Sequence, residues 1–299
     1  MTVVAAKPNL MKWMRGHPFV PGLLLVGPTA IWLFLFLVVP MALVLLYSFW
    51  TYQLGGVMER TLTLENYARF FSQPLYARIL WHSISVGLQT TVLALILSYP
   101  TAYYLARRPS GSHLLIFLIL VPFWTSYLIR IFSWMLILME RGVLNSVLLS
   151  LGITQEPIRL LFTPLAVVIG MTYSALPFMI LPIYSVLRGI SPDLVQAAKT
   201  LGANDLQAFV EVTLPLSMPG VMAGSVIVFI QGAGNFLAPA ILGGTGADLM
   251  ANVIANRFLE AFNWPFGSAL SMIFLVAMLA CLLLANKWAA LESIYGPRK

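Results

Sequence analysis

The stretch Ser191-Pro-Asp-Leu-Val-Gln-Ala-Ala-Lys-Thr-Leu-Gly202-Ala-Asn-Asp-Leu-Gln-Ala-Phe-Val-Glu-Val-Thr-Leu-Pro215 lies between two long apolar runs and carries the turn signals of two short helices. Ser191 is placed to N-cap the first, Pro192 suits its first helical position, and Asp193 complements the helix dipole. Gly202 supplies the stop. Asn204 can cap the second helix, with Gln207 three residues on to reach back to it, and Pro215 limits how far that helix runs. Ala197 and Ala198 leave a small face suited to a groove on another protein. Capping alone would equally describe an ordinary ordered loop, so the surroundings and the spacing have to decide.

The surroundings are a membrane protein. Of 299 residues, 60% are hydrophobic and only 9% charged, with a mean hydropathy of +0.90. A soluble domain keeps about a quarter of its residues charged. Six apolar segments stand near 22–49, 79–106, 113–138, 163–187, 219–243 and 267–290. Each meets the roughly 20 residues that a membrane helix requires. The fold class is therefore all-α integral membrane, one domain over 1–299. It comprises an N-terminal segment 1–21, a loop at 188–217 and a tail at 291–299. Lys7, Lys12 and Arg15 precede the first apolar run as in a secretory signal. The run from Pro21 to Trp50 is much longer than a signal core of about 7–15 residues and is read as a retained helix.

Lys and Arg set the orientation. The side that holds the termini has 10 of them, including Arg107, Arg108, Arg188 and Lys199, against 6 on the other, with Arg130 inside the third segment. Both termini and the 188–217 loop are expected in the cytoplasm. The net charge of +7 follows from this asymmetry and gives no reason to invoke nucleic acid. In the second external loop, Val143, Leu144, Val147, Leu148 and Leu151 fall at helical spacing and predict a short interfacial helix.

Several chemistries lack their residues. Cys281 is the single cysteine, and His17, His82 and His113 are scattered near segment ends, so no metal site is expected. No Gly-x-x-x-x-Gly-Lys-Ser/Thr phosphate loop occurs, so that nucleotide site must lie elsewhere. An ion-coupled carrier would usually place Asp, Glu or His at mid-membrane, and no acidic residue clearly lies there. A membrane transferase would need convergent His, Asp or Cys groups, which are also missing. No internal repeat suggests an inverted-repeat carrier.

Polar groups at membrane depth are the candidates for a solute pathway. Gln231 and Asn235 stand four apart, on one face of the fifth helix, with Gly232 and Gly234 weakening it and Gly220 and Gly224 allowing close approach. The two amides either line a pathway or hydrogen-bond neighbouring helices. Arg130 either snorkels to the outer headgroups or pairs with a carboxylate from elsewhere, since Glu140 lies about 15 Å along the helix. Tyr173 and Trp124 are pathway candidates through cation–π attraction. Tyr99, Tyr103, Tyr104, Tyr127 and Trp134 read as interfacial anchors.

The spacing in 191–215 is similar to the Glu-Ala-Ala, three residues, Gly, nine residues, Ile, one residue, Leu-Pro pattern of ATP-binding-cassette importer permeases. It stands here as Gln196-Ala197-Ala198, Gly202, Val212 and Leu214-Pro215, with Gln in place of Glu and Val in place of Ile. Pro122-Phe-Trp-Thr-Ser-Tyr-Leu-Ile-Arg130, Pro157-Ile-Arg159, Leu176-Pro177-Phe-Met-Ile-Leu-Pro182 and Asn263-Trp264-Pro265-Phe266-Gly267 resemble permease subunits of spermidine/putrescine importers. The resemblance implies a type I importer permease fold in a bacterial inner membrane. The implied partners are a second permease subunit, two ATPase subunits and a periplasmic substrate-binding protein. ATP and Mg would sit on the ATPases and no cofactor on this chain. The loop, through Gln196, Ala197, Ala198, Gly202, Leu214 and Pro215, would be the coupling element. Polyamine permeases often carry an acid where Asn235 stands, so the negative charge would come from the partner permease or the solute would be less cationic. Another small amine, an opine or an aminophosphonate is the alternative.

Overall fold

The computed structural model describes residues 19–53, 57–108, 112–244 and 246–295. Most of the N-terminal segment, with Lys7, Lys12, Arg15 and His17, lies outside the described residues, as do Arg298 and Lys299 in the tail.

The described chain is almost wholly helical. Helix α1 (Phe19–Leu33) passes through a π turn, Phe34–Val38, into α2 (Val39–Tyr47). A two-stranded antiparallel ribbon follows, β1 (Thr51–Gln53) and β2 (Val57–Glu59), pairing Thr51 with Glu59. Then come α3 (Glu65–Ser72), α4 (Pro74–Arg107) and α5 (Ser112–Leu120), which tightens into a 3₁₀ turn, Val121–Trp124. Helices α6 (Tyr127–Leu138), α7 (Val143–Ser150) and α8 (Pro164–Gly189) lead to the polar loop. That loop holds α9 (Pro192–Thr200) and α10 (Asp205–Ala208), and α10 runs through a π turn, Phe209–Thr213, into α11 (Leu214–Ala233). A π turn, Pro239–Gly243, helix α12 (Met250–Leu259) and α13 (Trp264–Tyr295) complete the chain. The short helix expected between the third and fourth apolar segments is present as α7.

Among the described residues, six helices are long and apolar enough to cross a membrane: Val26–Tyr47, Pro74–Arg107, Tyr127–Ser150, Pro164–Gly189, Asp205–Ala233 and Trp264–Ala285. Three expected boundaries change. The third segment is not one rod, because Pro122 lacks the N–H that would continue α5, and Thr125 and Ser126 are extended before α6 restarts. Pro215 does not end the second loop helix. The π turn before it re-registers the hydrogen-bond ladder around the missing donor, and 29 residues run on as one helix. The fifth segment stops at Ala233 instead of continuing to 243.

Lipid tails are as apolar as leucine, so helices associate in a bilayer by close packing rather than by escape from water. The contact among α4, α8 and α11 is built that way. A Cβ on Gly232 would stand 3.1 Å from the Cα of Gly87 across the α4–α11 crossing. One on Gly220 would stand 2.7 Å from the carbonyl oxygen of Pro182 on α8. Around these contacts lie two apolar clusters, one with Val86, Ile131, Val167 and Leu242, the other with Leu105, Met179, Ile183 and Val228. Helix α8 is central, with 67% of its apolar window buried, whereas Val26–Tyr47 has none of its window buried. The loop end of the bundle is tied by Arg188, which donates to the carbonyls of Ala106 (3.2 Å) and Arg108 (3.4 Å) at the end of α4.

Candidate functional site

A groove of about 410 Å³ opens among α4, α6, α8 and α11. Gln231 reaches it from the last turns of α11, and Thr90 and Ser174 from the middles of α4 and α8. Tyr127 and Arg130 come from the first turn of α6 and Asn235 from the segment after α11. The expected pairing of Gln231 with Asn235 on one helical face is therefore corrected: the helix has ended between them, and folding, not helical period, brings them together. Asn235 is bonded at both ends. Its Nδ2 donates to the Tyr127 hydroxyl at 2.6 Å, and its Oδ1 accepts from the backbone N–H of Ala238 at 2.9 Å. It lines the groove and also bonds a neighbouring helix through Tyr127. Gln231 is exposed along the groove.

The groove has unmet hydrogen-bonding capacity. Thr90 Oγ1 and Ser174 Oγ are buried without a partner in the described structure, and so is Arg130 Nε. Polar atoms at this depth normally find partners. Four helices thus converge hydroxyl and amide groups on one open space whose lining contains no carboxylate.

Arg130 stands in the first turn of α6 and reaches back past the start of that helix. Its Nη1 turns back across the helix break, donating to the carbonyls of Thr125 (2.9 Å) and Pro122 (3.4 Å). The carbonyls freed where the helix is interrupted draw the guanidinium to them. Tyr173 lies in an adjoining groove of about 330 Å³, which also includes Arg130. There it stacks on Phe123 (6.0 Å) and meets Trp134 edge-on (5.5 Å). Trp124 belongs to neither groove. It is 77% exposed and touches Phe117 edge-on, so the structure does not bring it to the other candidates. Sequence reasoning overlooked Thr90 and Ser174, since single hydroxyls in apolar helices give no pattern. Tyr127 was read only as an anchor.

The second candidate region is the loop at 188–217. Ser191 Oγ accepts from the N–H of Asp193 (3.2 Å), and Asn204 and Gln207 form the reciprocal capping box at 2.9 Å each way. Gly202 has φ +95°, the left-handed conformation a β-carbon opposes. Lys199 pairs with Asp205 across that turn. Hydrogen bonding and charge from Lys199 hold the Asp205 carboxyl below its ordinary range. Gln196 and Ala197 are exposed, and Leu194, Leu201 and Leu206 present apolar surface that this chain leaves uncovered. Leu214 and Pro215 lie where the loop enters α11. Among the described residues no group of His, Cys, Asp and Glu could hold a metal ion.

A polytopic helical protein with a groove among its spans and a capped loop offered at one end has the form of a solute permease. The chain belongs to the family of binding-protein-dependent transport system inner membrane components, which it matches over residues 98–290. It is 43% identical to the spermidine/putrescine transport system permease protein PotB of Haemophilus influenzae, over 83% of this chain and 86% of the relative. PotB of Escherichia coli is 41% identical, over 83% and 90%. The crystal structure of a bacterial ABC transporter involved in the import of the acidic polysaccharide alginate shares the fold. Its TM-score is 0.75 at 18% identity, covering 95% of this chain and 99% of that one. The protein is thus an inner-membrane ABC-importer permease, a transport subunit and not an enzyme.

Proposed function

We propose that this permease carries a polyamine, spermidine or putrescine, through the inner membrane by alternating access. The observation behind this reading is the 41–43% identity to PotB permeases over 83% of the chain. The groove supports it with hydroxyl and amide oxygens for ammonium donors, and with aromatic rings such as Tyr127 and Phe236 beside them. Gln231, Asn235 and Arg130 are the pathway residues of this half. Tyr173 lies in the adjoining groove, and the exposed Trp124 is left out of the pathway.

The chain works with a second, related permease, whose acids supply the charge missing here. Two ATPase subunits bind and hydrolyse ATP with Mg. One of them receives the loop at 188–217 through Gln196, Ala197, Ala198 and the exposed leucines. A periplasmic substrate-binding protein delivers the solute, and both termini face the cytoplasm. ATP-driven closure of the ATPases then biases a two-state switch in the helices.

The test is energy-dependent uptake of labelled spermidine and putrescine by cells lacking other polyamine carriers, with and without this chain. Uptake is expected to disappear with the chain. Unchanged uptake would retire the polyamine reading and direct the search to other small amines, opines or aminophosphonates.

A further inference from the structure

We propose that Tyr99 and Tyr103 are positioning residues of the transport cycle, a clasp through which α4 moves together with the loop at 188–217. This rests on the coupling role given to that loop above and holds for any solute.

In sequence both tyrosines read as interfacial anchors, but the structure turns them toward the exit of the loop. Tyr99, Tyr103 and Arg107 stand four apart on one face of α4. Facing them is the π turn Phe209–Thr213, where the loop becomes α11. The Phe209 ring enters between the two tyrosines, 5.9 Å from Tyr99 and 5.5 Å from Tyr103, nearly perpendicular to both. The Tyr99 hydroxyl lies 2.8 Å from Ser217 Oγ, which is fully buried and gives its one proton to the carbonyl of Leu214. Tyr99 is therefore the donor in that bond. Arg107 donates to the buried Thr213 hydroxyl at 3.3 Å, with its guanidinium 5.4 Å from the centroid of Tyr103. Tyr104, on the next face, is 59% exposed and does fit an anchor.

The carbonyl of Phe209 accepts from the N–H of Leu214, the bond that closes the π turn. Gripping the Phe209 ring and the Thr213 hydroxyl thus fixes the two ends of that turn. The entry of the loop is tied to the same helix, since Arg188 holds the carbonyls of Ala106 and Arg108 at the end of α4. Both ends of the loop are fastened to α4. Farther along, α4 and α11 meet through Gly87 and Gly232, which allow close packing but offer no interlock against sliding. The interlock is the ring of Phe209 between two tyrosines. Thr90 stands nine residues from Tyr99, about 13 Å along α4, on the wall of the groove. Displacing the loop moves Thr90 through the clasp and Gln231 through α11, so both walls shift together.

The test uses the complete importer in proteoliposomes, with Cys281→Ala as background so that added cysteines report alone within this chain. Thr90→Cys reports on α4 and Gln231→Cys on α11. Each is labelled with a water-soluble maleimide, with and without a non-hydrolysable ATP analogue. The analogue is expected to change both labelling rates at least threefold. Adding Tyr103→Ala is expected to abolish the change at Thr90→Cys and keep it at Gln231→Cys, whereas Tyr103→Phe keeps both. Phe209→Ala is expected to match Tyr103→Ala, and the two combined to do no more than either alone. An unaltered response at Thr90→Cys in the assembled Tyr103→Ala importer overturns the clasp. So does loss of both responses, which marks general damage, or a Thr90→Cys reporter that ignores the analogue with the clasp intact. Gly202→Leu separates this proposal from the reading beneath it. If both reporters still respond in that variant, the coupling role of the loop fails and the clasp with it. If both fall silent there but neither does in Tyr103→Ala, the clasp alone fails. Should the alanine variants not assemble, Arg107→Cys with Thr213→Cys, joined by a short bismethanethiosulfonate, decides. ATP hydrolysis is then expected to stay within threefold of the reduced importer, because the joined parts travel together. A larger loss that reductant restores shows that they move apart and overturns the proposal.

Discussion

Asn235 uses both ends of its amide, one on the Tyr127 hydroxyl and one on the Ala238 N–H. Asn235→Ala removes the tie between α6 and the end of α11 together with a helix cap, a loss of about 1 kcal/mol for the cap. Polyamine uptake is expected to fall at least fivefold in that variant while its amount in the membrane changes little, as read by transport and immunoblot. Asp205 behaves differently because it is exposed and only locally paired. Its folded-state pKa lies below its unfolded value, so the Lys199 pair contributes above the unfolded value and is lost as pH falls through the folded one. From pH 6 to 8 the carboxylate is ionised in both states. Asp205→Asn is expected to leave the shape of the ATPase pH profile unchanged across that range. A new inflection there would contradict this assignment. Of the candidate residues, those read from local chemistry (Ser191, Gly202, Asn204, Gln207) take the conformations their types dictate. Trp124 and Tyr173 do not join Gln231 and Asn235, because a ring at helical spacing carries no information about which neighbour it will face.

At the scale of elements, the proline-linked π turns matter most. Pro40 and Pro215 each follow one and Pro239 begins one, and at Pro215 the loop at 188–217 becomes continuous with a membrane helix. Under the coupling role proposed for this loop, a push on α9 and α10 would be delivered along α11 to the groove where Gln231 stands, with Gly202 as the joint. Its Cβ position is open space, so a substitution meets no clash but forces a left-handed conformation worth roughly 1–2 kcal/mol. Gly202→Leu is expected to leave insertion and subunit association intact and to lower uptake at least tenfold. ATP hydrolysis in that variant would no longer respond to solute. Coupled, wild-type uptake would remove the loop from the mechanism. The break at Pro122 was overlooked in sequence because proline is tolerated in many membrane helices. Here the extended Thr125 and Ser126 turn tolerance into interruption.

At the scale of the whole molecule, the first apolar helix touches the rest of the chain mainly along α2, where Tyr47 meets Trp264 of α13 edge-on. No residue of the Val26–Tyr47 window is buried, so most of its surface is left to lipid or another subunit. The orientation drawn from Lys and Arg makes a further prediction. A fluorescent reporter fused after residue 299 is expected to mature in the cytoplasm. An export-dependent phosphatase inserted near residue 155 is expected to be active, and the reverse pattern would invert the topology. Composition and segment length by themselves determined the class, the number of spans and the capped loop, because each depends on local properties such as transfer to a bilayer, missing donors and side-chain caps. The groove could not be read that way. Thr90, Ser174, Gln231, Asn235 and Arg130 lie up to 145 positions apart. They meet because glycines let α4, α8 and α11 approach closely and because a broken helix turns Arg130 back onto the carbonyls of Pro122 and Thr125. Close packing between distant segments leaves no local pattern in the chain, so only the tertiary structure decided it.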